Sequence, residues 1–524
     1  MHHKIKVLLV SGLIVSLGGC TSELNSQAAV TQQTPAQRCE AYTALALDGS
    51  DMTITSAEYI TDVNQSDWLE RLGPVQRGNF KPFCKLTGYF EKRTGAEDKP
   101  YAIGFGLSLP DEWNGRFLFQ GGGGLNGVIR EPLGAIAAGD VPAVFRGFAV
   151  ASTDSGHQSE TVFDPSFFAD QLALLNFYAG AVEKTTRLTK SLVTNIYQQA
   201  PDNSYFVGCS TGGREAMTMS QRFPELFDGI VAGAPARRTN LSEIADLWSA
   251  KRLRMASESG NETPFSTEQQ AFIVDELIAR CDGLDGNEDG LIFNVEACDF
   301  APQQLSCANN NHAQCLSADE VTALDEAFAG PKLPDGRQVY PGFYFDTGIN
   351  ASGRGIPGLL QAEPGPLGRS RLDMPFDIIR EVTIAENFPL APGNAVLSNL
   401  STYRDNGGKL LFFHGVSDPW FSAKDTLKYF NEMAAANGGH EAVAGWSQLY
   451  MVPGMGHCGG GEKTLDQFDM LSAVVNWVEQ NEAPREVIAK GQSMPGESRP
   501  LCPFPQVATY TQGDATQAGA YQCH

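Results

Sequence analysis

The sequence predicts an α/β protein built around a parallel sheet, and three observations carry that expectation. Short apolar runs recur along the chain, each ending in a turn with polar or reactive residues, and helical patterns separate them. One run leads through Gly208-Cys209-Ser210-Thr211-Gly212 directly into a helical pattern. The composition is 42% apolar and only 19% charged over 524 residues, enough for a large core, and 55 Gly with 29 Pro suit a turn-rich chain better than a helical bundle. Acidic residues outnumber basic ones 61 to 38, for a net charge of −23. A surface that acidic repels phosphate backbones and excludes a nucleic-acid partner.

The first segment is a leader. Met1–Lys6 is basic, Val7–Leu17 is apolar but short for a membrane span, and Leu17-Gly18-Gly19-Cys20 resembles a bacterial lipobox. Residues 1–19 are therefore expected to be a lipoprotein signal peptide, with Cys20 lipidated and 20–38 a Ser, Thr, Gln and Ala-rich tether. The folded part is expected to be exported, held at the bacterial outer membrane or in the periplasm only through that anchor, or otherwise secreted. Ten further cysteines, an even number in an exported chain, read as five disulfides.

The elements follow in order. Arg116–Gln120 is a strand running into Gly121–Gly124, and Gly147–Ser152 a strand running into Thr153-Asp154-Ser155-Gly156-His157. Phe167–Tyr197 has helical spacing and is the longest helix candidate. Ser204–Val207, Gly229–Ala232, Lys409–Phe413 and Gln448–Val452 are further buried strands, with a helix after Ser210 to about Phe223. Residues 236–393 differ in texture, with four cysteines and few strand-like runs. They are expected to form a lid domain inserted into a catalytic domain made of 39–235 and 394–524.

The chemistry follows from the turn at Ser210. G-x-S-x-G between a strand and a helix presents a serine hydroxyl on a sharp turn. A serine needs a base, and only eight histidines exist. His2 and His3 lie in the leader, His312 in the insertion, His440 in a polar loop and His524 at the end of the chain. His157 precedes the nucleophile, and His414 precedes the best acid, although both fall near the site. His457 follows the last strand, and Asp418 follows Lys409–Phe413. Ser210, Asp418 and His457 thus stand in the order Ser, acid, His of an α/β-hydrolase fold. Cys209 precedes the nucleophile and Cys458 follows the base, so a disulfide between them would tie Ser210 to His457.

With these residues in place, the chain from Cys39 to Cys523 resembles the tannase/feruloyl esterase family, which has a Cys-Ser, Asp, His-Cys arrangement. Gly208–Glu215 is close to the feruloyl esterase pattern. His414–Ser422 resembles members acting on terephthalate monoesters, although Thr211 stands where those carry an acidic residue. The resemblance implies a serine carboxylic ester hydrolase acting on feruloyl, galloyl or terephthalate monoesters. The oxyanion of such a reaction is expected to meet the backbone amide of Thr211 and one from Gly121–Gly124, Gly123 first among them. Gly124-Leu125-Asn126-Gly127 reads alternatively as only a turn. Phe421 is placed against the substrate ring, with His414 near it, and Arg369 or Arg371 is the candidate partner for a substrate carboxylate. The other disulfide pairings expected are Cys39–Cys84, Cys281–Cys298, Cys307–Cys315 and Cys502–Cys523.

In the insertion, Cys281–Ile292 sets carboxylates three and four residues apart on a glycine-rich loop, donors suited to Ca²⁺. The loop lacks the last acidic residue of an EF-hand. The resemblance implies a structural calcium held by the side chains of Asp282, Asp285 and Asp289 and the carbonyls of Asn287 and Leu291. Two other readings stand beside the esterase: a non-catalytic surface binding protein on a hydrolase scaffold, and a lipase or peptidase of the same fold. The intact triad argues against the first.

Overall fold

The computed structural model describes residues 33–260, 262–351, 353 and 355–524. The expected signal peptide, Cys20 and most of the tether lie outside them. Nine strands form one sheet: β1 (Thr53–Ile60), β2 (Phe83–Thr94), β3 (Pro100–Pro110), β4 (Arg116–Gln120), β5 (Ala149–Thr153), β6 (Asn203–Cys209), β7 (Gly229–Gly233), β8 (Lys409–Gly415) and β9 (Ser447–Val452). Their spatial order is β1-β2-β3-β5-β4-β6-β7-β8-β9. β1, β2, β3 and β5 pair antiparallel, and every pair from β5–β4 to β8–β9 is parallel.

Why these runs become strands is visible in their two faces. Alternate residues of β4, β6 and β8 (Phe117, Phe119, Phe206, Leu410, Phe412) enter one apolar cluster. Their neighbours (Leu118, Tyr205, Val207, Leu411, Phe413) enter a second on the opposite face. A strand covered on both sides needs no polar residues, so it reads as an unbroken apolar run. The edge strand β1 alternates exposed and buried positions instead.

The expected long helix over Phe167–Tyr197 is broken. A 3₁₀ turn (Ser166–Ala169), a short helix capped by Asp170 (Gln171–Leu175) and a π turn (Asn176–Gly180) precede the helix Ala181–Tyr197. The wide turn leaves carbonyls to be satisfied from outside, and buried Arg214 donates to those of Phe177 and Tyr178, each at 3.0 Å.

Between β7 and β8 the described residues contain no strand of the sheet. They hold helices Thr239–Met255, Thr267–Cys281, Ala318–Ala329 and Ile378–Glu386. Most of them gather around a separate apolar cluster that includes Ile273, Leu277, Leu324 and Phe328. Buried Asp425, on the helix Ala423–Ala436, joins this segment to the sheet by accepting from Arg237 at 2.7 Å and pairing with Arg238. Five disulfides are formed: Cys39–Cys84, Cys209–Cys458, Cys281–Cys298, Cys307–Cys315 and Cys502–Cys523.

Candidate active site

β6 delivers Ser210 at its carboxyl end. The serine has φ 66° and ψ −124°, a strained conformation for a residue with a side chain, and the helix Thr211–Arg222 starts at the next residue. Its amide donates to Gly233 O and its carbonyl accepts from Arg214 and Ala236, all at 3.0 Å, so the turn is held from three sides. Glycine is required at 212, because a Cβ there would stand 2.8 Å from Gly122 O.

Asp418 follows β8 and His457 follows β9. His457 Nδ1 and Asp418 Oδ2 are 2.7 Å apart. The other carboxylate oxygen accepts from the amides of Trp420 at 3.0 Å and Phe421 at 3.1 Å. Burial alone would push this carboxyl up, but His457 and His414 outweigh it and hold Asp418 below the usual carboxylate range. The Cys209–Cys458 bond, with Cα atoms 6.0 Å apart, links the neighbours of Ser210 and His457. Both residues line one cavity of about 500 Å³.

The glycine loop after β4 differs from the expectation on one point. The Gly123 amide, expected in the oxyanion hole, donates instead to Asn126 Oδ1 at 2.7 Å. Asn126 has φ 54°, which folds its side chain back across the turn. Among the described residues the next amide, Gly124, has no acceptor, and its carbonyl takes the hydroxyl of Thr211. Thr211 occupies the first position of its helix, where the amide has no intrahelical partner. The loop is braced by buried Glu215, which accepts from Gly122 N at 2.8 Å and Asn126 Nδ2 at 2.7 Å. Sequence reasoning missed Glu215 and Asn126, whose contact spans 89 residues.

Around the cavity, Phe421 stands with its ring 5.3 Å from that of His457, and Trp420, not anticipated from sequence, stands at the same distance. Arg369 lines the cavity but pairs with Glu363 at 3.5 Å, and Arg371 pairs with Glu381. His414 is not a substrate contact. It is fully buried, 3.3 Å from Asp418 Oδ2, with its ring nitrogens 2.8 Å from Thr426 Oγ1 and from Phe421 O. A strand-end histidine faces either the cavity or the layer behind it, and its position in sequence does not say which. His157 is also buried, stacked 3.8 Å from Phe167.

In the acidic loop, Asp282 and Asp285 are buried, whereas Asp289 Oδ2 accepts from Arg499 at 3.1 Å and Asn287 Nδ2 at 2.8 Å. No group of three or more His, Cys, Asp and Glu side chains among the described residues is arranged as a metal centre. The donor chemistry nonetheless fits a hard cation in part. Asp282 Oδ1 is buried without a partner, and the carbonyls of Asn287 and Leu291 accept no hydrogen bond among the described residues. Burial pushes Asp285 up to about 7, with Asp289 and Asp282 adding to it. Arg499 already compensates Asp289.

The chain matches the family "Tannase and feruloyl esterase" over residues 84–362 and 372–524. It is 33% identical to the mono(2-hydroxyethyl) terephthalate hydrolase of Piscinibacter sakaiensis, covering 84% of each chain. It is 29% identical to a probable feruloyl esterase of Arthroderma benhamiae, covering 82% of this chain and 83% of that one. Among solved structures it superposes on feruloyl esterase B from Aspergillus oryzae with a TM-score of 0.76 at 24% identity, over 94% of this chain and 100% of the other. With the tannin acyl hydrolase of Aspergillus niger the TM-score is 0.71 at 21% identity, over 94% and 95%. The fold is thus of the α/β-hydrolase type, and the chain belongs to the tannase and feruloyl esterase family of carboxylic ester hydrolases.

Proposed function

We propose that the protein hydrolyses esters of aromatic acids through an acyl-enzyme formed on Ser210. The observation that carries this reading is the 2.7 Å contact of His457 Nδ1 with Asp418 Oδ2, on a histidine tied through Cys458–Cys209 to a serine held on a strained turn. Ser210 Oγ attacks the ester carbonyl while His457 Nε2 takes its proton and returns it to the departing alcohol. Water then attacks the acyl-enzyme, with His457 again as base, and releases the acid. Asp418 fixes the imidazole tautomer and stabilises the imidazolium.

The developing oxyanion is met by the Thr211 amide and by one from the glycine loop, where Gly124 has the uncommitted N–H. The cavity wall, with Phe163, Phe177, Trp420 and Phe421, suits a flat aromatic acyl group such as feruloyl, galloyl or a terephthalate monoester. Residues 236–393 act as the lid over this cavity. Asp282 and Asp285, with the carbonyls of Asn287 and Leu291 and with Asp289 beside Arg499, would hold a calcium ion, whose role is to balance buried negative charge. The basic and apolar start of the chain supports export, with Cys20 as a lipid anchor.

The test is turnover of methyl ferulate, methyl gallate and mono(2-hydroxyethyl) terephthalate by the wild type and by Ser210→Ala. Hydrolysis of at least one ester, lost in the variant, supports the reading. Retention of hydrolysis by Ser210→Ala refutes it.

A further inference from the structure

The insertion reaches back to the two loops that carry the acid and the base. Asp346, between the helices Ala318–Ala329 and Ile378–Glu386, is fully buried. Its Oδ2 accepts from Ser417 Oγ at 2.6 Å and from the Gly454 amide at 2.8 Å. Ser417 immediately precedes Asp418, and Gly454 stands three residues before His457. One carboxylate oxygen thus holds the loop after β8 and the loop after β9 at a single point. Ser417 Oγ also accepts from the Gly348 amide at 3.0 Å, so residues 346–348 clasp that hydroxyl from two sides. The approach is close enough to demand glycine, because a Cβ on Gly348 would stand 2.5 Å from Gly454 O and 2.8 Å from Ser417 Oγ. Gly454 itself has φ 66°, in the left-handed region that favours glycine.

A carboxyl in this place is costly. Burial pushes it up, and only hydrogen bonds from Ser417 and from backbone amides oppose that shift. Its second oxygen, Oδ1, has no partner among the described residues. An apolar side chain would fill the space without that penalty, but it could accept from neither loop. The neighbours Phe343, Tyr344 and Ile349 are packed in the apolar cluster of the insertion, so the place of Oδ2 is set by that packing and not by the loops it holds. The two loops also meet directly, the Ser417 amide donating to Met455 O at 3.1 Å, so Asp346 adjusts a spacing that it does not create alone. Neither Asp346 nor Ser417 lines the cavity of Ser210. We propose that Asp346 is a positioning residue through which the insertion fixes the separation of Asp418 and His457, governing turnover without touching substrate. The proposal rests on the reading of Asp418 and His457 as acid and base.

The experiment measures kcat, KM and Tm of wild type, Asp346→Leu, Asp346→Asn, Ser417→Ala and His457→Ala, on the best substrate among methyl ferulate, methyl gallate and mono(2-hydroxyethyl) terephthalate. Asp346→Leu should lower kcat about 10-fold or more while KM changes less than about threefold, because the two loops are then free to shift against each other. Asp346→Asn should retain most of kcat, since one amide oxygen can accept from both Ser417 and Gly454. Combining Asp346→Leu with Ser417→Ala should lose less than the product of the single losses, because both break the same contact. A lower Tm with unchanged kcat in Asp346→Leu is what a purely structural role produces, and it overturns the proposal, as does an Asp346→Asn enzyme as slow as Asp346→Leu. If Asp346→Leu does not fold, Ser417→Ala decides: kcat lowered about threefold or more at unchanged KM supports the clasp, and unchanged kcat overturns it. His457→Ala separates this from the catalytic reading. Turnover retained there refutes the base and the proposal with it, whereas turnover lost there but untouched by Asp346→Leu overturns the clasp alone.

Discussion

Asp418 stands between two histidines, and only His457 shares the cavity with Ser210. The carboxylate therefore has one partner that faces the cavity and one, His414, that is held behind it by Thr426 and the Phe421 carbonyl. Asp418→Asn should leave the geometry intact but present the wrong hydrogen-bonding group to His457 Nδ1, lowering kcat by roughly 10,000-fold. Ser210→Ala and His457→Ala should each abolish turnover, and the double variant should lose little more than either alone, because the residues act as one unit. Additive losses in steady-state kinetics would contradict that coupling. Asp246 makes a prediction of opposite character. Burial, with the charges of Glu243 and Asp418 adding, raises its folded pKa well above that of the unfolded chain. The folded state then holds a proton that the unfolded state has lost, and stability falls as pH rises from about 4 toward the folded pKa. Asp246→Asn, which keeps the shape without the titration, should raise Tm by about 1–3 °C more at pH 8 than at pH 5. An equal shift at both pH values would show that Asp246 does not carry that linkage.

At the scale of elements, the site is an assembly of strand ends: β6 carries Ser210, β8 Asp418 and β9 His457, with the glycine loop after β4 beside them. Of the five disulfides only Cys209–Cys458, whose partners are 249 positions apart in sequence, joins the two stretches of chain that form the sheet on either side of the insertion. Replacing both its cysteines by Ala should reduce turnover about 100-fold in a folded protein, since a displacement near 1 Å between nucleophile and base has that effect. Replacing Cys307 and Cys315 should lower Tm with little change in turnover. A folded, fully active Cys209/Cys458 double variant would show that the bond does not align the site. The same elements show what was readable from sequence. β4, β6, β7, β8 and β9 were, because parallel strands covered on both faces are uninterrupted apolar runs, and each runs toward a turn with distinctive residues. β1 to β3 were not, since an antiparallel meander away from the chemistry ends in no such turn. The helical pattern of Phe167–Tyr197 concealed a π turn whose free carbonyls are met by Arg214, a contact 36 to 37 residues away. Asn126 and Glu215 fall inside segments that the sequence did single out, but their roles were illegible for the same reason: the contact that joins them spans 89 residues.

On the scale of the whole molecule, the acidic loop of 282–291 is where the insertion meets the carboxyl-terminal part of the chain. Arg499 reaches Asp289 across 210 residues, Asn287 donates to Tyr521 Oη at 2.7 Å, and Tyr521 belongs to the short sheet closed by Cys502–Cys523. Arg499 compensates Asp289, Asp285 accepts from the amides of Asn287 and Phe293, and buried Asp282 keeps one unmet oxygen although the charge of Lys463 acts on it. A calcium ion at this junction would satisfy that oxygen and lock insertion, tail and disulfide into one unit, all of it apart from the cavity that holds Ser210. Its removal should therefore affect stability before chemistry. At calcium concentrations about 100 times its Kd, binding adds roughly 2.7 kcal/mol to the folded state, so chelation should lower Tm by about 2–3 °C. Turnover at 25 °C in the chelated, still folded protein should remain within about twofold of the untreated enzyme. Because the ligands bind metal as carboxylates, the Tm difference should be larger at pH 8 than at pH 5. Elemental analysis gives the direct check: calcium near one equivalent per chain, lost in Asp282→Ala/Asp285→Ala, is expected. Protein purified with calcium present that carries none, and whose Tm is indifferent to chelator at pH 8, would mean that Arg499, Lys463 and protonation keep this junction closed without a metal.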